Sequence, residues 1–529
     1  MEVPMIVNDF LRRAVDLYGP KLAVVDDDKR FTYTDFAGRC HQFAHALSAL
    51  GIGKGDRVGI VSPNSHHFLE SFYGTSLLGA VLVPLNYRLL PSDFAYALNH
   101  AGASVVLADS DLCPAIDEIM AELSLVEHRV VARYRDAEVP DGWLDWEQLI
   151  APQSTERPPD PLLDENDLVS INYTSGTTAR PKGVMLTHRN FYINAYHFIA
   201  HFGISHDDVD LWTLPMFHCN GWGGVYALTS MGATHVIVRA PEAETVYSLI
   251  ADEGVTFACM APAVLARLLE HDDPAARTVA TTPRIVCAGA PPPVALVQRL
   301  EEELGWTFMQ LYGLTETAPI LTVAEPKPHV PTQGSDLYRL KARAGHPGLG
   351  VDVRVVDDDG NDVEANDTAI GQVAVRGNMV FKGYWDQPEE TEKVVIDGYF
   401  YTGDLATVDK HGYLQIVDRA KDVIISGGEN VSSIEVEDVL YTHPDVLECA
   451  VVGVPSEKWG ETPLAFVVAR PGTTPTAAAI IDHCRDQMAH FKAPTSVEFV
   501  AEIPRTATGK IKKFELREPH WEGQGRRVS

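Results

Sequence analysis

A chain of 529 residues is too long for a single hydrophobic core, and ordinary domain sizes divide it into about two to four packed units. With 45% hydrophobic and 22% charged residues it is composed like a globular protein, and its apolar runs fall far short of the roughly 18 to 20 residues a membrane span needs. A net charge of −30 repels nucleic acid and anionic membrane alike, so neither is expected as a primary partner and any anionic substrate must be met by local positive groups.

Apolar positions Phe10, Leu11, Ala14 and Val15 recur at helical spacing within residues 6–18, and Gly19-Pro20 stops that helix. β-rich runs at Arg57–Val61, Ala80–Val83 and Ser104–Leu107 then alternate with helical patterns at 34–50, 65–78 and 91–100. That rhythm predicts a parallel sheet covered by helices. A second set runs through Leu168–Ile171, Asp210–Leu214, Thr234–Val238, Val255–Ala258 and Arg284–Cys287, so two doubly wound layers are expected. Between 345 and 417 the helical patterns give way to Gly-punctuated alternation (Val351–Val356, Gly371–Val375, Tyr413–Val417), the mark of a small β subdomain. Beyond a boundary near 418–422, strands near 446–453 and 463–469 and helices near 432–442 and 475–488 predict a compact α+β unit.

Five strings carry chemistry. Residues 173–183, Tyr-Thr-Ser-Gly-Thr-Thr-Ala-Arg-Pro-Lys-Gly, offer the hydroxyls of Thr174, Ser175, Thr177 and Thr178, backbone N–H groups freed by Gly176 and Gly183, and the cation of Lys182. That set suits a polyphosphate, yet Lys182 stands between Pro181 and Gly183, so it is not the common G-x-x-x-x-G-K-[ST] loop. In Gln310-Leu-Tyr-Gly-Leu-Thr-Glu-Thr, a turn at Gly313 after a predicted strand presents Tyr312 for stacking, Thr315 for a phosphate and Glu316 for a hard divalent cation. Tyr399-Phe-Tyr-Thr-Gly-Asp404 offers a carboxylate that can take both hydroxyls of a ribose. Asp418-Arg-Ala-Lys-Asp422 leads to Ser426-Gly427-Gly428-Glu429, where glycines turn the chain or admit a ligand closely. Pro504-Arg-Thr-Ala-Thr-Gly-Lys510-Ile-Lys-Lys513 concentrates bases in an acidic protein. Taken alone, Glu316, Asp404 and the basic tail read as solvated turns or surface.

Seven cysteines (Cys40, Cys113, Cys219, Cys259, Cys287, Cys449, Cys484) form no C-x-x-C pair, which argues against a zinc site or a disulfide framework. The opening Met-Glu-Val-Pro-Met lacks a basic region before an apolar core, and Arg-Arg-Val-Ser is not a peroxisomal tripeptide, so a cytoplasmic protein is expected.

In this order and at these separations the strings resemble the adenylate-forming superfamily of acyl-CoA synthetases, peptide-synthetase adenylation domains and luciferase, over about residues 8–515. The resemblance implies a large N-terminal domain, 1–418, of two doubly wound sheets plus a small β-barrel subdomain, and a mobile α+β C-terminal domain, 419–529. It implies an ATP-dependent step that joins a carboxylate to AMP, followed by displacement of AMP by a thiol. On this chain, Thr174 to Lys182 would close on the β and γ phosphates; Gly289-Ala290-Pro291 and Gln310 to Tyr312 would border adenine; Asp404 and Arg419 would hold the ribose. Thr315 would meet the α-phosphate, Glu316 would hold Mg²⁺, and Lys510 would reach the acyl carboxylate and the bridging oxygen. Lys421 would be the hinge whose rotation replaces Lys510 by Ser426, Gly427, Gly428 and Glu429 for the coenzyme A step.

Pro215-Met-Phe-His-Cys-Asn-Gly-Trp222 resembles the Phe-His-x-Asn-x-Trp string of fatty acyl-CoA synthetases and of some aryl-CoA and methylthioalkanoate ligases, which sets His218 beside the reacting carboxylate and Trp222 on the acyl channel. Ala288, Thr317, Ala318 and Pro319 are small and leave apolar walls. No acidic residue falls at the pocket positions read from the sequence, which disfavours an amino-acid substrate. The expected activity is an AMP-forming acid–CoA ligase for a short- to medium-chain fatty acid or a relative. Methylthioalkanoate, aryl and long-chain acids are alternatives. A carrier-protein acylating ligase and a non-catalytic nucleotide-binding regulator compete with it. Oligomeric state, a homodimer included, is left open.

Overall fold

The computed structural model describes residues 3–174, 181–271, 277, 281–330, 334–419, 422–426, 429–456, 458–505 and 511–521. Ser175, Gly176, Thr177, Thr178, Lys421, Gly427, Gly428 and Lys510 lie outside the described residues.

Two large sheets carry the first three hundred or so residues. The first has eight strands in the order Gly383–Tyr384, Lys182–Thr187, Leu168–Thr174, Val81–Leu85, Arg57–Val61, Ala103–Asp109, His128–Ala132 and Leu144–Asp145. Its inner strands pair in parallel, and Val81–Leu85 is buried at every position, as a strand covered by helices on both faces must be. The second has nine strands, ordered His346–Pro347, Ile320–Val323, Thr307–Gly313, Arg284–Cys287, Phe257–Met260, Val209–Trp212, Thr234–Ile237, Leu22–Asp26 and Lys29–Thr32.

The helix His66–Leu77 is buried along its whole length between these layers, so it carries no polar stripe toward water. Its Ser65 cap accepts from Phe68 N, and its Phe68, Phe72 and Tyr73 share one core with Trp212, Phe257 and Ile285 of the second sheet.

One expectation is corrected. Leu168–Ile171 was expected to open the second layer, but the strand Leu168–Thr174 pairs with Val81–Leu85 in the first sheet. A short apolar run fits either layer. The choice is made by its antiparallel pairing with Lys182–Thr187, which sets Tyr173 opposite Gly183 and Thr174 opposite Lys182. The second sheet instead recruits Leu22–Asp26 and Lys29–Thr32 from the start of the chain.

The small β subdomain is an antiparallel sheet of Asp352–Val356, Gly371–Arg376, Tyr399–Val408 and Val395–Ile396, with Leu414–Arg419 added along Tyr399–Val408. The expected barrel takes the form of an open path, because the pairings among the described residues leave its edges unjoined. Among the described residues the last sheet uses only strands from Ile424 onward, and its cores, centred on Ile424, Val436, Val451, Ala465 and Ile480 and on Val452, Leu464 and Phe466, contain none from earlier in the chain.

Candidate active site

In the second sheet the strands Thr307–Gly313, Arg284–Cys287, Phe257–Met260 and Val209–Trp212 are neighbours in parallel, so the segments leaving their C-terminal ends gather at one edge. Open α/β sheets bind ligands at that edge. Ala288–Pro291, Leu314–Thr317 and the run from Thr213 to Trp222 all leave from it.

Thr307–Gly313 turns sharply into a short 3₁₀ stretch, Thr315–Thr317. Gly313 makes this possible, because a Cβ there would lie 1.6 Å from the Pro319 carbonyl oxygen. Tyr312 then projects its hydroxyl to Asp404, donating to Oδ2 at 2.7 Å, and Asp404 stands directly opposite Arg419 on the paired strand. Gln310 is buried, and its side-chain carbonyl oxygen has no partner among the described residues, which leaves an acceptor for a bound group. Thr317 is placed differently from a pocket wall: its hydroxyl receives Leu314 N at 3.0 Å and faces the carbonyls of Leu314 and Pro319, so it builds the turn. Ala318, left-handed at φ 62°, and Ala288 are both buried.

Glu316 meets the phosphate-loop side through two contacts. Its backbone carbonyl accepts from Phe381 N at 2.8 Å, and Tyr384 Oη donates to its Oε1 at 3.0 Å. Burial, with Glu316 beside it, pushes the Tyr384 phenol well above its usual range, so it stays a donor. Lys182 Nζ lies 4.8 Å from the centre of the same Tyr384 ring and donates to Glu390 Oε2 at 2.6 Å. Hydrogen bonds from Lys182 and Lys393 hold the Glu390 carboxyl at about 2. Lys182, Tyr384 and Glu316 thus form one chain of contacts across the two sheets. Tyr384 and Glu390 were missed from sequence: Gly-Tyr-Trp carries no spacing signal, and Glu389, Glu390 and Glu392 look equally solvated until the fold sets one of them on Lys182.

On the acid side, His218–Gly223 forms a 3₁₀ stretch that runs into the helix Gly224–Met231. The His218 and Trp222 rings are 5.3 Å apart and tilted. Gly223, at φ 79°, brings the backbone so near Asn194 that a Cβ would lie 1.8 Å from its Nδ2. Cys219 Sγ and Thr315 Oγ1 are 3.5 Å apart, which joins the acid-side string to the phosphate-side string. Trp222 lines a cavity with Phe198, Trp212, Leu228, Cys259 and Asp210. Asp210 lies eight residues before His218 in the strand Val209–Trp212 and lines the same small space. Ser426 is buried in the last sheet, opposite Glu429 and Gly460.

Glu316 and Thr315 supply hard oxygen donors, the type Mg²⁺ takes when one carboxylate and phosphate oxygens share it, so the residues fit that ion. The described helices include none long and apolar enough to cross a membrane.

The family model of the AMP-binding enzymes matches residues 11–385, and that of the AMP-binding enzyme C-terminal domain matches residues 435–510. The chain is 35% identical to the peroxisomal trans-cinnamate:CoA ligase of Petunia hybrida, covering 98% of this chain and 94% of that one. It is 37% identical to a 2-methylpropanoate–CoA ligase of Humulus lupulus, covering 97% and 95%. An anthranilate CoA ligase solved in complex with anthranoyl-AMP superposes with a TM-score of 0.89 at 30% identity, covering 98% of each chain. The chain belongs to the AMP-binding enzyme family and is an ATP-dependent, AMP-forming acid–CoA ligase.

Proposed function

We propose that the acid is an alkyl carboxylic acid of short to medium length, bound with its carboxylate near His218 and its body under Trp222. The observation that carries this reading is the Thr315–Cys219 contact, which sets the phosphate-side string against the string that bears His218 and Trp222. Ala288 and Ala318, small and buried beside the same strings, fit a hydrocarbon body rather than a polar one.

In this reading Lys182 exchanges Glu390 for the β and γ phosphates, with Thr174 to Thr178 beside it. Tyr312 and Gly289 to Pro291 border the adenine, and Asp404 with Arg419 takes the ribose hydroxyls. Glu316 would hold Mg²⁺, whose charge offsets that of the phosphate oxygens. Thr315 faces the α-phosphate and Lys510 the reacting carboxylate, each putting a donor where negative charge gathers; loss of such a donor typically costs about 3 kcal/mol. Residues 1–418 and 419–529 then act as two units about Lys421, so that Ser426 to Glu429 replace Lys510 for the thiol step. A cytoplasmic site of action is part of this reading, whereas the Petunia hybrida relative is named as peroxisomal.

The test is pyrophosphate release over acids from C2 to C16, aryl and methylthio acids included, with and without coenzyme A. Release that peaks for short and medium alkyl acids, with turnover dependent on free coenzyme A, is expected. A flat response across acids removes the pocket reading. Turnover only with a carrier-protein thiol favours the carrier-acylating alternative.

A further inference from the structure

Away from the nucleotide and acid strings, the start of the buried helix His66–Leu77 meets the short helix Trp146–Ile150 and the helix Tyr33–Ala49. His66 and His67 stand there with their rings 3.8 Å apart, and one ligand atom from each of them and from Glu147 falls within 4.8 Å of the other two. His67 Nε2 lies 3.0 Å from Glu147 Oε1, and His66 Nε2 lies 3.9 Å from the same oxygen. The second distance is too long for a hydrogen bond. His66 is 3% exposed, and its Nε2 has no hydrogen-bond partner among the described residues. Ligands about 2.0–2.1 Å from a tetrahedral ion stand roughly 3.3 Å from one another, a spacing that these two distances bracket.

The surroundings hold these groups in ligating form. Asp26 Oδ2 accepts from the backbone N–H of His66 at 2.9 Å and lies 2.6 Å from its Nδ1, so the ring proton belongs on Nδ1 and the lone pair on Nε2 is left for another partner. Arg39 is shared between Glu70, which is fully buried and also accepts from Trp146 Nε1 at 3.2 Å, and the two oxygens of Glu147, at 2.7 and 3.0 Å. That clamp fixes the Glu147 carboxylate while leaving its side chain 40% exposed, an approach for an ion and for a water beside it. Asp26, Glu70 and Glu147 set three carboxylates against the one guanidinium of Arg39, which leaves two negative charges when both rings are neutral. Burial opposes a charge on His66, yet Asp26 and Glu147 outweigh it and move its pKa up, so the cluster draws positive charge. A proton on Nε2 answers half of the excess; a dication answers all of it, and uncompensated charge in a packed interior is costly.

We propose that His66, His67 and Glu147 form a zinc site, with Asp26 as the carboxylate behind His66 and a water as the fourth ligand. Two imidazoles and a carboxylate are a set that zinc takes. The expectation against zinc came from cysteine spacing, and it does not reach a site made by adjacent histidines and a glutamate 80 residues beyond the second of them. The role is structural, since the ion pins the helix Trp146–Ile150 to the central helix His66–Leu77 and none of its ligands belongs to the nucleotide or acid strings.

The experiment loads chelator-treated, full-length enzyme with one equivalent of Zn²⁺ and reads the X-ray absorption at the zinc edge. Two imidazole nitrogens with oxygens at about 2.0–2.1 Å are expected. A shell of oxygens alone, or zinc lost on gel filtration, overturns the proposal. At zinc 100-fold above its Kd the wild-type Tm should rise by about 3 °C, and no rise overturns the structural role. His67→Gln should remove one imidazole from the spectrum. Competition with a chromophoric chelator should show the zinc Kd raised by about 10- to 100-fold in Asp26→Asn, and by more in His67→Gln and Glu147→Gln. Glu147→Gln, with its partly exposed side chain, is the mildest of these changes to the fold. An unchanged Kd in that variant overturns the site and leaves the cluster an ion-pair network closed by a proton on His66. Where a variant fails to fold, the wild-type absorption spectrum decides alone.

Discussion

Lys182 shows how a residue's meaning depends on its neighbours. Its ammonium is held between the Glu390 carboxylate, at 2.6 Å, and the face of the Tyr384 ring, so a phosphate competes with Glu390 for it. Charge-assisted contacts of this kind contribute about 1.5 to 3 kcal/mol. Lys182→Ala is therefore expected to raise the KM for ATP by about tenfold to a hundredfold, while transfer to coenzyme A from preformed acyl-adenylate stays nearly intact. Equal damage to both steps in stopped-flow assays would contradict the assignment.

His235 carries a residue-scale prediction about stability. Because Trp212 donates to its Nδ1, the neutral ring must carry its proton on Nε2, toward the Thr229 hydroxyl at 3.1 Å. Burial, reinforced by Lys21, holds its pKa down at about 3, against the ordinary value of 6.5. The unfolded chain thus takes up a proton that the fold refuses, so the stability due to His235 is complete above pH 6.5 and is lost as pH falls toward 3. Between pH 7 and pH 5 that loss is about 2 kcal/mol. Denaturant unfolding of His235→Gln should show a pH slope shallower than the wild type by about that amount, and an unchanged slope would refute the assignment.

At the scale of elements, the turn after Thr307–Gly313 organises the nucleotide side. The antiparallel pair with Ile320–Val323 brings Pro319 O onto Gly313, and no flexible side chain lies there to move aside. Gly313→Ala must spread the two strands, at a cost of roughly 1–3 kcal/mol or more, and shift Tyr312, Thr315 and Glu316 together. A lowered denaturation midpoint accompanied by weakened ATP binding is expected. A stable variant that binds ATP normally would show that the strands part without effect on the site.

Much at this scale was legible beforehand. Helices at Asn8–Tyr18, Tyr33–Ala49 and Pro91–Ala101 lie where apolar spacing and Gly19-Pro20 put them. The sheet membership of Leu168–Thr174 was not, because its apolar run carries no mark of which parallel partner it will meet. Thr317 was read as a wall since small residues at a turn look alike in sequence, and only its bonds to Leu314 and Pro319 distinguish it.

At the scale of the whole molecule, the last sheet builds its core from its own residues, the condition for moving as a unit. If residues 419–529 rotate about Lys421, Lys421→Pro, by restricting φ, should spare adenylation and slow thioester formation. Single-turnover measurement of both half-reactions checks this, and equal loss in both would exclude a hinge there.

The amino-acid order by itself determined the family chemistry, because hydroxyls, glycines, Lys182, Thr315, Glu316 and Asp404 occur as local strings whose function lies in their residue types. It also determined the layered α/β rhythm, which follows from periodicity. Only the tertiary structure decided that Tyr384 and Glu390 reach Lys182 and Glu316, that Cys219 touches Thr315, and that Asp210 and Trp222 line one small cavity. Those relations join residues far apart in the chain, or turn one side of a strand toward a space, and both depend on how the layers pack rather than on any spacing along the sequence.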